Sequence, residues 1–157
     1  MKKLWILALM SFALVNCNAQ ENKEKKSINV PEAAKQAFVK QFPAATKTDW
    51  SLEKVGEYEV EFKLNKMEMS ALYDTNGNLL ETETEIDTEQ LPAGVQSILT
   101  SDFNGYKAGE ISKVEAKGTT SYEMEVEKGE ATWELTFDAN GNLLKKVQEK
   151  EKGDEQD

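Results

Sequence analysis

Apolar residues first recur at helical spacing. Val30, Ala34, Ala37, Phe38 and Phe42 fall on one stripe, the spacing of an amphipathic helix. Asn29 is placed to cap it, Pro31 fits its first turn, and Pro43 ends it. A second stripe follows at Leu91, Val95, Ile98, Leu99 and Phe103, with Asp87 or Thr88 as the expected cap. Gly94 lies inside this stripe, where glycine costs about 1 kcal/mol relative to alanine.

After each stripe the period changes to two. Trp50 and Leu52 alternate with Asp49, Ser51 and Glu53. Tyr58, Val60, Phe62 and Leu64 alternate with Glu57, Glu59, Glu61 and Lys63. Met67, Met69, Ala71 and Tyr73 oppose Glu68, Ser70 and Leu72, and Leu80, Thr82, Thr84 and Ile86 oppose Glu81, Glu83 and Glu85. Beyond the second stripe, Ile111 and Val114 are less regular, whereas Tyr122, Met124 and Val126, then Trp133, Leu135 and Phe137, alternate cleanly. Such alternation predicts strands with one buried and one wet face. The phrases KVGEY, LNKME, AKGTTSY and EKGEA carry turn residues between them.

The same unit is written twice. Pro31–Phe42 aligns with Pro92–Phe103 at an offset of 61, while YEVEF (58–62) aligns with YEMEV (122–126), and DTNGNLL (74–80) with DANGNLL (138–144), at an offset of 64. Ordered blocks sharing a period indicate a duplication. Three residues are gained between Phe103 and Tyr122, most simply around NGYKAGE. The expected fold is α+β: a tandem duplication of helix plus four-stranded antiparallel meander, covering residues 28–86 and 87–148, with the helices on one face of the sheet.

DTNGN and DANGN raise the question of calcium. A calcium loop needs ligands at positions 1, 3 and 5, Gly at 6 and Glu at 12. Asp74, Asn76, Asn78 and Glu85 fall at 1, 3, 5 and 12, but Gly77 is at 4 and a strand pattern follows. In the second copy Lys145 and Lys146 crowd the loop. The reading is a hairpin turn in which Asn76-Gly77 supplies the left-handed positions and Asp74 accepts backbone N–H groups.

Ahead of the first unit, MKKLWILALMSFALVNCNAQ has the three parts of an export signal. Two endings fit: cleavage after Ala19 (signal 1–19), or lipidation at Cys17 (signal 1–16), where LVNC approximates a lipobox although Asn16 is a poor match. A charged leader follows to residue 27, and residues 149–157 form an acidic tail. The expected location is the periplasm or an outer-membrane lipoprotein, with membrane attachment only through a lipid at Cys17.

Composition removes several chemistries. The 157 residues carry a net charge of -10, from 29 Asp plus Glu against 19 basic residues, all of them Lys. With no His and one Cys, the imidazole-based nucleophile pairs and the usual zinc sites are missing. An acidic chain without Arg does not suit nucleic acid. Paired Glu residues on the polar face have the chemistry of a glycosidase pair, but Trp50, Trp133 and the Tyr residues fall on the buried side and leave no aromatic platform. No catalytic residue, cofactor or metal site is expected, and Met67, Met69 and Met124 read as packing.

Taken together, the export signal, the doubled helix-and-meander unit, the Trp-bearing first strand, YEVEF and the paired NGNLL turns resemble the PepSY-like proteins of Bacteroidetes, also described as β-lactamase-inhibitor-like after the tandem fold of β-lactamase inhibitory protein. The resemblance covers about residues 28–148. It implies two helices on one face of a sheet and an exposed opposite face, and it brings no catalytic residues.

The expected activity is therefore that of a non-catalytic binding module of the cell envelope. Its polar face would present Glu59, Glu61, Lys63, Glu68, Leu72, Glu81 and Glu83, with Glu123, Glu125 and Glu134 from the second unit, to a basic protein partner. Two alternatives stand beside it: inhibition of a periplasmic or secreted hydrolase such as a β-lactamase or peptidase, and divalent-cation buffering by dispersed carboxylates.

Overall fold

The computed structural model describes residues 28–149. The export signal with Cys17, the charged leader and the tail from residue 150 onward lie outside the described residues. The chain runs α1 (Glu32–Gln41), β1 (Thr46–Lys54), β2 (Glu57–Leu64), β3 (Met67–Asp74), β4 (Leu79–Glu85), α2 (Ala93–Asp102), β5 (Lys107–Ala116), β6 (Thr119–Lys128), β7 (Ala131–Asp138) and β8 (Leu143–Gln148). The eight strands form one antiparallel sheet in sequence order. Strands β4 and β5 pair from Glu81–Ala116 to Glu85–Ser112, so the two units share a single sheet.

Both helices pack on the same face. Ala34 and Phe38 of α1 meet Val60, Phe62, Ala71 and Tyr73. Val95 of α2 meets Met124, Val126, Leu135 and Phe137. The first core is aromatic: the Phe38 ring stands edge-on to Trp50, Phe62 and Tyr73, with centroids 5.7, 5.0 and 6.5 Å away. Such edge-to-face pairs add to the burial energy of the rings. Tyr73 is fully buried, and its hydroxyl donates to Gln41 Oε1 at 3.2 Å. The second core is mostly aliphatic. Its edge is closed by Lys146, whose Nζ lies 4.5 Å from the Trp133 ring centroid and 4.7 Å from that of Phe103.

The helix starts differ from the expected caps. Pro31 and Pro92 are themselves the N-cap residues, and neither helix has a side-chain cap. Their carbonyls accept the Lys35 and Gln96 N–H groups at 3.2 and 3.1 Å. In the second unit a 3-10 turn (Thr88–Gln90) precedes the proline, and Asp87 N–H donates to Gln90 Oε1 at 2.8 Å. Asp87 thus opens that turn rather than α2. The extended backbone at each proline (ψ 140 and 144°) lets the chain arrive across the sheet before it coils.

The three extra residues also lie elsewhere than expected. Ala45 N–H bonds the Phe42 carbonyl, and Tyr106 N–H bonds that of Phe103, so the loops match at offset 61. Trp50 pairs with Val60 and Ile111 with Met124, which carries the same offset to Ile111. The gain therefore falls after Ile111 and lengthens the β5–β6 hairpin rather than NGYKAGE. Against β1 and β2, the added residues are Ala116 at the end of β5 and Thr119 and Thr120 at the start of β6, and Ala116 pairs with Glu81 of β4. The insertion thus extends the join between the units by one residue pair.

Candidate functional site

The paired NGN turns are hairpins, as the spacing predicts, with one correction. Only Gly77 and Gly141 take positive φ (81 and 86°), whereas Asn76 and Asn140 do not. Gly77 N–H donates to the Asp74 carbonyl at 3.1 Å, and Asp74 N–H to the Asn78 carbonyl at 3.0 Å. The Asp74 carboxylate is used within the turn: Oδ1 accepts the Asn76 and Asn78 N–H groups at 2.8 and 2.9 Å, and Oδ2 accepts Asn78 Nδ2 at 2.7 Å. Asp138 repeats this with Asn140 and Asn142. The Asn78 and Asn142 side chains, then the turn N–H groups, hold both carboxyls below the usual carboxylate value.

Each turn glycine also meets a helix. A Cβ on Gly77 would stand 2.5 Å from the Ala33 carbonyl oxygen, and one on Gly141 3.0 Å from Val95 N. Gly94 belongs to the second contact, since a Cβ there would lie 3.2 Å from the Asn140 carbonyl oxygen. The helix-weakening glycine is the residue that lets turn and helix touch.

The face opposite the helices carries the predicted polar side chains. Residues opposite one another on antiparallel neighbours point to the same side, so the pairing gives rows across the sheet. One row runs Ser51, Glu59, Leu72, Glu81, Ala116 and Thr119. The next runs Asp49, Glu61, Ser70, Glu83, Val114 and Ser121. A third joins Glu85, Ser112, Glu123, Thr136 and Lys145, and a fourth joins Glu125, Glu134 and Val147. All ten residues picked from the sequence therefore share one face.

That face curves into an open trough of about 940 Å3. Glu59, Glu61, Lys63, Glu68, Leu72, Glu81, Glu83 and Glu123 line it, whereas Glu125 and Glu134 lie with Glu123 and Lys145 around a smaller hollow at the second unit. Lysines are engaged at the rim: Lys54 with Glu57 at 3.0 Å, Lys63 with Glu68, and Lys145 with Glu134 at 3.3 Å.

The alternation did not reveal everything on this face. Ile111 packs in the helix-side core, but Val114, three residues on, is opposite Glu83 on the trough side and buried. The irregular spacing of this pair reflects two faces, not a weak strand. Leu80 was expected on the helix side with Thr82. A bulge, in which Tyr73 pairs with Leu79 and Leu72 with Glu81, puts Leu80 on the trough instead. Ser70, Ser112, Glu110 and Lys145 also line hollows of this face, and Ser112 is buried. Period-two counting marks Ser70; Ser112 and Val114 needed the β4–β5 register.

The face is also drier than alternation suggests. Burial raises the Glu83 carboxyl to about 7, with Glu81, Glu123, Glu59 and Glu110 adding repulsion. Burial is likewise the first cause of upward shifts at Glu59, Glu81, Glu110, Glu123 and Glu125. Among the described residues no three acidic side chains converge as a metal cage requires. The arrangement is a broad anionic floor with apolar insets at Leu72, Leu80 and Ala116.

Comparison with known proteins agrees with this architecture. A family model described as "Putative beta-lactamase-inhibitor-like, PepSY-like" matches residues 20–81 and 56–145. A BLIP-like protein from Bacteroides fragilis is 26% identical, with TM-score 0.68, over 82% of this chain and 93% of that one. A structure described as a "putative periplasmic" protein, from Bacteroides eggerthii, is 18% identical, with TM-score 0.71, over 76% and 89%. A protein from Bacteroides ovatus is 20% identical, with TM-score 0.70, over 78% and 89%. The last two likenesses are of fold alone. No functionally curated protein matches the chain. The doubled helix-and-meander unit, its paired turns and the two matched segments make this chain a member of the PepSY-like, β-lactamase-inhibitor-like family.

Proposed function

We propose that the protein is an exported, non-catalytic binding module whose trough receives a basic protein partner in the cell envelope. The observation that carries this reading is the uncovered sheet face, on which carboxylates from both units surround apolar insets. A lysine or arginine side chain suits such a floor: its aliphatic stem can lie on Leu72 or Leu80 while its head meets Glu59, Glu81 or Glu123. Export is supported by the N-terminal pattern and by the description of the B. eggerthii relative.

The test is calorimetry with a short lysine-rich peptide as probe, at low and high salt. Binding is expected at low salt, weakened by salt and reduced at least about tenfold, about 1.4 kcal/mol, by the combined E59Q, E81Q and E123Q changes. No binding at low salt, or unchanged binding in the triple variant, overturns the reading.

Two alternatives have their own tests. Hydrolase inhibition is favoured by the family description and by the BLIP-like relative. A panel of β-lactamases and peptidases that shows no inhibition at micromolar protein removes it. Cation buffering by the dispersed carboxylates predicts loose, multi-site calcium binding in the same calorimeter, and a flat calcium titration removes it.

A further inference from the structure

The smaller hollow at the second unit is set apart by Ser112. Ser51 and Ser112 are equivalent in the duplication, and each stands opposite an equivalent glutamate, Glu59 or Glu123. Ser51 lies on the terminal strand β1, and its hydroxyl donates to Glu59 Oε2 at 3.4 Å. Ser112 lies on β5, between β4 and β6, and is only 5% exposed. Among the described residues its hydroxyl has no hydrogen-bond partner, and it keeps access to solvent through the hollow that it lines. A buried hydroxyl left without a partner is costly, so a ligand that donates to it gains by doing so.

The backbone shapes the opening. Ala108 pairs with Val126 and Ile111 with Met124, so Gly109 and Glu110 together oppose Glu125. Such a bulge bends the strand and re-aims its side chains, and Glu110 joins Ser112, Glu123, Glu125 and Glu134 around the hollow. Lys145, the one lysine among the described residues that line it, is engaged with Glu134 at 3.3 Å. Glu110, Ser112, Glu123 and Lys145 border the trough as well, so the hollow opens from its floor. Its volume of about 30 Å3 takes on the order of two water-sized groups. Among the described residues no three acids converge as a metal cage requires. What suits it is a compact cation with several N–H donors and no acceptor.

We propose that this hollow seats the ammonium of a partner lysine, with Ser112 Oγ and the carboxylates of Glu123 and Glu125 as acceptors, and that it selects lysine over arginine. The inference rests on the function proposed above and narrows it. An ammonium is a compact point charge with three donors, whereas a guanidinium is a wider planar fork that is left on the open floor. On an open acidic surface the order is the reverse, because the arginine fork binds carboxylates through two parallel hydrogen bonds. A preference for lysine is therefore a signature of the hollow and not of charge alone.

The experiment is calorimetry on the wild type, S112A, S112V and S51A, with the lysine-rich peptide and a counterpart in which every lysine is arginine. The wild type is expected to bind the lysine peptide at least about fivefold tighter. S112A removes the acceptor and S112V also fills the hollow; both should erase that preference, while S51A, at the twin position, should keep it. Equal or tighter binding of the arginine peptide to the wild type, or a preference that survives both Ser112 changes, overturns the lysine seat and leaves the basic-partner reading standing. If neither peptide binds at low salt, both readings fall.

Discussion

The two units share a plan and differ most in their last strands. At offset 64, β4 and β8 correspond, so Glu81, Thr82 and Glu83 stand opposite Lys145, Lys146 and Val147 in the alignment. Strand β4 is interior, flanked by β3 and β5, whereas β8 is the terminal strand of the sheet. In the interior position carboxylates are desolvated and repel one another. At the terminal position Lys146 reaches back over Trp133 and Phe103, and Lys145 pairs with Glu134. The same local fold thus serves two roles: one copy concentrates negative charge at the centre, and the other closes the end of the sheet.

The cores allow the sharpest test of that division. Phe38→Ala opens the aromatic core beneath α1 and should cost about 3–5 kcal/mol, whereas Val95→Ala beneath α2 should cost about 2 kcal/mol. Urea unfolding read separately from Trp50 and Trp133, in single-reporter variants, shows whether each loss is felt across the join. Coincident transitions are expected because one sheet spans both units. Separate transitions would mean that the β4–β5 pairing does not couple them.

The turn glycines come next. Both Gly→Ala changes put a side chain at positive φ and against helix backbone. Each should cost about 1–3 kcal/mol, with Gly77→Ala at the upper end because its Cβ would stand closer to α1 than that of Gly141 to α2. Equal losses by chemical denaturation would show that the two turn–helix contacts give way alike.

Smaller effects follow at the charged positions. A carboxyl raised on folding binds its proton more tightly in the folded chain, so Glu83 makes stability fall as pH climbs from the ordinary value of 4.5 to about 7. Glu83→Gln should flatten that decline, while Glu125→Gln in the second unit should leave most of it. Lys146→Ala should cost about 0.5–1 kcal/mol through lost contact with Trp133 and Phe103; Thr82→Ala, at the matching position, tests whether that effect belongs to the terminal strand. The least difference is expected between Asp74→Ala and Asp138→Ala, whose turns are hydrogen-bonded alike. Both carboxyls are lowered by folding, so their contribution is present above the ordinary value of 3.8 and lost as pH falls through the folded value. Acid melts of the two variants should therefore superimpose.

Most of the trough was legible in advance, because period-two alternation assigns a residue to a face without reference to any neighbour. Glu59, Glu81 and Glu123 were found that way. Leu80 and Val114 were not: a bulge moves the first, and the second belongs to a strand whose two faces are both occupied. Asn29 and Asp87 looked like caps because capping preferences are local, yet the extended prolines at 31 and 92 take that position.

The sequence by itself determined the duplication, the helix-and-meander unit, the hairpins at Asp74 and Asp138, and the sign of charge on the open face. These follow from local spacing and residue chemistry. Only the tertiary structure decided that β4 pairs with β5, that the inserted residues lengthen the β5–β6 hairpin, and that Glu83 stands at the centre of a half-dried acidic floor. Each of these depends on which strands become neighbours. Alternation fixes the face of a side chain, but its solvation and the charges around it are set by strands distant in the chain.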